Sequence, residues 1–152
     1  MKYFIKVRQI TVFCFLVSVV GLSYAEVDQG AADSREVIVV TAAEKAALLS
    51  EMRNFLIASQ KILQASLIED MQAVEDAARP VGMKLLKQTP EAIKQKLPAG
   101  FTAIGPKAHR GFEEIADEAS GLGDREEVLQ KLADLQLLCT QCHAIYRFEV
   151  QP

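Results

Sequence analysis

Cys139, Cys142 and His143 are the residues whose types and spacing could do chemistry in this chain. They fall in "LLCTQCHAIYRF", residues 137 to 148. Two thiols three positions apart, followed at once by an imidazole, serve three chemistries: a thioredoxin-like dithiol, part of a zinc site, or covalent attachment of a c-type haem through C-x-x-C-H. On a helix, successive residues turn by about 100°. Cys139 and Cys142 then share one inward stripe with Leu135 and Tyr146, and His143 lies one turn beyond Cys139 and beside Cys142. All three can reach one flat object standing in the interior, which suits a haem held by two thioethers with the imidazole approaching its iron.

The other two chemistries fit less well. A reactive dithiol sits at a helix N-terminus, where the dipole lowers the thiol pKa; here the thiols are near a helix C-terminus, where the dipole opposes the thiolate. Zinc needs a fourth ligand in tetrahedral geometry. His109 is the only other histidine, it reads as a surface side chain between Lys107 and Arg110, and there is no second C-x-x-C.

The start of the chain gives the compartment. Lys2, Lys6 and Arg8 precede the apolar run "ITVFCFLVSVVGL", and "SYA" before Glu26 supplies the small residues of a cleavage site. This predicts a secretory signal peptide over 1–25. The apolar run is shorter than the about 20 residues of a membrane span, so an exported, periplasmic protein without stable membrane insertion is expected. Cleavage leaves 127 residues and removes Cys14, so the mature chain holds only the two clustered cysteines and no disulfide framework.

The chain has 17 Lys and Arg against 20 Asp and Glu. Without the three basic residues of the signal the mature part carries 14 against 20, a net charge of −6. No basic cluster stands out in the sequence, which argues against nucleic acid or an anionic membrane as partner.

What must position the cluster reads as helices. Residues 26–40 lack helical period and are expected to be a flexible leader, with "EVIVV" a short extended piece of unknown pairing. "TAAE" at 41–44 is a capping box that starts a first helix, in which Leu48, Met52, Phe55, Ser59, Ile62 and Ser66 recur at spacings of three and four. Asp70 is an N-cap for a second helix to about Lys87, with Pro80 kinking it. Residues 88–106 form a long crossover. Gly105 and Pro106 are expected to open a third helix with Phe112, Ile115 and Ala119 inward. After "GLGD", Asp124 caps a fourth, whose stripe of Val128, Leu132 and Leu135 runs on into Cys139, Cys142 and Tyr146. The expected fold is all-α: an antiparallel four-helix bundle over 41–150, with the crossover between helices 2 and 3.

A C-x-x-C-H that closes the last helix of such a bundle, followed by Tyr146 and Arg147, resembles the cytochrome c prime family, including its low-spin members. The resemblance spans the mature region in layout. It implies one haem c attached through Cys139 and Cys142, His143 as proximal iron ligand, and Arg147 as the basic residue beside it. It also implies that the first helix covers the distal face. Met52, inward on that helix, is then the candidate distal ligand; Leu48 stands where family members often carry a basic residue, and Met71 and Met83 are left as packing residues. With Met52 bound, the protein is a one-electron carrier for redox partner proteins and not an enzyme. With the position open, it binds gases such as NO or CO. Homodimers through the first two helices are a further implication.

Overall fold

The computed structural model describes residues 32–151. The expected signal peptide at 1–25, and residues 26–31 of the expected leader, lie outside them. The described chain is mostly helical, with one small sheet of two strands. Among the described residues no helix is long and apolar enough to cross a membrane.

The capping box forms as its residues require. The Thr41 hydroxyl accepts from the Glu44 backbone N–H at 3.2 Å, and the Glu44 carboxylate accepts from the Thr41 N–H at 2.8 Å. From it runs α1 (Ala42–Leu67), with Leu48, Phe55, Ser59, Ile62 and Ser66 buried and Met52 half-buried. Asp70 caps α2 (Met71–Ala78) by accepting from the Ala73 N–H at 3.0 Å. Pro80 does interrupt this second helical segment: a 3₁₀ turn covers Arg79–Val81 and a single turn follows as α3 (Met83–Leu86). Another single turn, α4 (Glu91–Lys94), lies in the crossover.

The third long helix departs from the expectation. It begins six residues earlier, as α5 (Ala99–Ser120), so Pro98 stands at the cap and Pro106 is inside the helix. Pro106 cannot donate to the carbonyl one turn back. What holds the extra turns is burial of Phe101, which packs edge-on against Tyr146 and Phe148 at centroid distances of 5.6 and 5.9 Å. The last long helix, α6 (Arg125–Ile145), is capped by Asp124, whose carboxylate accepts from the N–H groups of Glu126 and Glu127.

A second departure concerns the leader. Its last five residues, the short extended piece expected there, form strand β1 (Glu36–Val40), and the pairing that the sequence left open is with β2 (Tyr146–Val150), which follows α6 directly. The two run parallel, with Glu36 opposite Tyr146 and Val40 opposite Val150. A two-stranded sheet is marginal alone. This one is anchored because Ile38 and Val40 are buried against Leu48, Ile93 and Phe101.

The main core lies away from the sheet. Phe55 and Ile62 of α1, Val74 and Ala78 of α2, Phe112 and Ile115 of α5, and Leu132 and Leu135 of α6 meet there. Phe112 is 0% exposed and stacks on Phe55 at 5.2 Å. Phe112→Ala is therefore expected to cost about 3–5 kcal/mol, read as a lower denaturant midpoint at unchanged slope. Arg79 ties the end of α2 to α5 by pairing with Glu75 and Glu113, each at 2.8 Å, and with Asp117.

Candidate functional site

The end of the fold that carries the sheet holds a cavity of about 420 Å³, open on one side. Its walls come from α1, the crossover, α5 and the last turns of α6. On α6, Cys139 and Cys142 are half-buried and His143 is exposed, and all three line the cavity. Leu48, Met52 and Phe55 line it from α1. The spacing that put both thiols on one stripe thus brings them to one wall, and Met52 lies on another helix of the same chamber.

Nothing favours these thiols as reactive groups. Both are free. Burial pushes the Cys139 thiol up, and burial together with neighbouring Cys139 does the same to Cys142, so the thiolate needed for exchange is disfavoured. Cys139 Sγ sits 3.6 Å from the Leu135 carbonyl one turn back, the position of a helical thiol at rest. Among the described residues, no three His, Cys, Asp or Glu converge as a metal cluster would. A tetrahedral zinc therefore has no donor set there.

Phe55 and His109 both line the cavity, and their rings meet edge-on at 4.9 Å. The sequence reading placed His109 on the surface; it is 3% exposed. Its charged neighbours Lys107 and Arg110 misled that reading, because they point elsewhere on the helix. The spacing His109, Phe112, Ala116 is the signal that puts it on the inner face. A carbonyl only accepts, so His109 Nδ1 carries a proton and donates to the Val81 oxygen at 2.9 Å. Nε2 lies 3.4 Å from the Glu51 carboxylate.

Burial alone would depress this imidazole. The Glu51 carboxylate and the Val81 carbonyl outweigh it, and the His109 pKa is raised above its ordinary value. A raised value in the folded state means that folding favours the proton. The stabilisation is complete below the unfolded pKa of about 6.5 and is lost as pH rises through the folded one. The denaturant midpoint of the wild type is expected to fall over that window, whereas His109→Gln, which keeps a donor for Val81, should lose most of this pH dependence.

Beside the main cavity lies a smaller compartment of about 230 Å³, which Met52, Phe101, Cys142 and His143 also line. Arg35, Lys45 and Arg147 are part of its wall. The family resemblance implies Arg147 beside His143, with the helix running on through Tyr146. The helix instead ends at Ile145, so Arg147 lies in β2, where it pairs with Glu149. It shares a compartment with His143 without being its helical neighbour. Arg35, which the sequence did not single out, reaches the His143 carbonyl from the other strand's side at 3.4 Å. Met71 and Met83 stay apart from this site: Met71 packs on the main core, and the Met83 N–H donates to Glu113 at 3.0 Å.

The donor set fits a covalently held haem: two thiols and an imidazole on one apolar wall, with a thioether on another wall of the same chamber. No protein-family model, curated protein or solved structure matches the chain.

Proposed function

We propose that this protein is an exported c-type cytochrome carrying one haem c, and that it acts as a one-electron carrier. The observation that supports this most is the C-x-x-C-H triplet lining an apolar cavity that Met52 also lines. Cys139 and Cys142 would hold the haem as thioethers, His143 would be the proximal ligand and Met52 the distal one. Bound there, the haem would supply a one-electron couple, which a thioether ligand biases toward the reduced iron. The chain's own part would be to keep water and foreign ligands from the metal with Leu48, Phe55 and Phe101, and to carry His143 and Met52 on helices that also pack into the main core. Arg147 would act from outside the ligand shell, adding positive charge near His143.

The finer architecture follows from the same reading. The segments α1, α2, α5 and α6 would form an antiparallel four-helix bundle with the crossover between the second and third, in the manner of the cytochrome c prime family. The signal peptide would be cleaved near Ala25, leaving the mature protein in the periplasm. Its partners would be redox proteins. A homodimer would use α1, where Leu56 is 72% exposed and Leu63 and Leu67 are also exposed.

Carbon monoxide added to the reduced protein tests the ligand set. A six-coordinate His/Met iron leaves the spectrum unchanged or changes it slowly. Immediate, complete binding would instead mean an open distal position and a gas-binding role.

A further inference from the structure

A net charge of −6 describes the mature chain but neither of its ends. The sheet, the first half of α1, the crossover, the start of α5 and the end of α6 gather at the cavity end, where Phe101 meets Tyr146 and Arg35 meets the His143 carbonyl. At the far end Glu69 pairs with Arg125, and Gly123 lies against Met71. Residues 34–55, 82–110 and 139–151 hold ten Lys and Arg against five Asp and Glu. Residues 56–81 and 111–138 hold four against twelve. By these stretches the cavity end carries a formal +5 and the rest −8, with Glu113 of the latter at the boundary, where its carboxylate pairs with Arg79 and accepts from the Met83 N–H beside Lys84. The basic residues are scattered over the chain, so no cluster is visible in the sequence; the fold assembles one.

Part of this positive charge is already used. Lys96 pairs with Glu44 at 2.6 Å and Lys94 with Glu91 at 3.5 Å. Lys84 on α3 and Lys107 and Arg110 on α5 are different: all three are exposed, and they belong to two elements packed on each other beside the cavity. None of them takes part in an ion pair among the described residues. Lys87, also exposed, lines the cavity itself.

We propose that this cavity-end face is a docking surface for an acidic protein, with Lys84, Lys107 and Arg110 among its contacts. The proposal rests on the haem reading only in making that protein a redox partner; the charge pattern stands without it. A molecule with +5 at one end and −8 over the rest is turned by the field of an acidic partner, so that the basic end arrives first. Such steering raises association rates by roughly 10- to 10³-fold at low salt and fades as the Debye length shortens to about 8 Å near physiological ionic strength. Electrostatics of this kind selects the partner and the approach more than it sets final affinity. In an electron carrier the approach matters most, since the partner must meet the end where the cofactor is held.

The test is binding of poly-L-glutamate, as the acidic probe, to the full exported protein at increasing salt, alongside phosphatidylglycerol vesicles. Binding to the polymer that weakens progressively with salt is expected. The triple variant Lys84→Glu, Lys107→Glu, Arg110→Glu should lose at least tenfold in affinity with unchanged haem content. Glu126→Lys with Asp134→Lys at the far end should change it less than twofold. The proposal is overturned if the polymer does not bind, if near-end and far-end variants act alike so that net charge alone governs, or if vesicles bind and the polymer does not. Binding is readable whether or not the protein holds haem, so the absence of haem would sink the cytochrome reading and leave this result intact.

Discussion

With a haem held as proposed, Met52→Ala is expected to open the iron: the reduced variant would bind carbon monoxide at once, and its midpoint potential would fall. Met52 lines both the cavity and the compartment beside His143, on the helix that the haem reading assigns to the distal side. Removing a thioether ligand withdraws its preference for reduced iron. A change on the order of 0.1 V is reasonable within the roughly 0.8 V that axial ligands command. Truncation also removes packing, so Met52→Leu is the informative companion. It keeps the volume to within a small packing cost while deleting the sulfur. If both variants open the iron, ligation is the cause. If only the alanine variant does, Met52 acts as a plug.

Cys139→Ser with Cys142→Ser should have the larger structural consequence. With no thiols to bond it, the proposed haem would no longer be held covalently and would be lost from the protein, leaving the cavity unfilled. The cavity is open at its mouth, so the expected response is local: water entry and loosening of the sheet, the crossover and the end of α6, while the main core around Phe112 persists. The expected readout is fast amide exchange in 36–48, 86–105 and 139–150 with protection retained around Val74, Ile115 and Val128. Global unfolding would show that the two ends do not separate. Unchanged exchange would show that nothing fills the cavity in the wild type.

The long helices were legible because their apolar residues recur at three and four, and three of the caps, Thr41, Asp70 and Asp124, are side chains whose bonds form locally. The wall of Cys139 and Cys142 was legible for the same reason. Four features were not. The sheet pairs segments 110 residues apart, and the four apolar positions from Val37 to Val40 give no signal of a partner at that distance. The start of α5 is decided by Phe101 finding Tyr146 and Phe148, a tertiary contact that overrides the local pull of Pro106 as a helix opener. His109 was judged by its sequence neighbours rather than by its helical ones. The basic end escaped notice because its charges come from separate stretches of chain, each unremarkable in composition.

Intact mass, measured under denaturing conditions on the protein purified from an exported fraction, tests the central claim most directly. The expected mass is that of a chain beginning at Glu26 plus one haem, retained without any solvent-labile step. The mass of the bare polypeptide, or one lighter by two hydrogens as a Cys139–Cys142 disulfide would give, contradicts it.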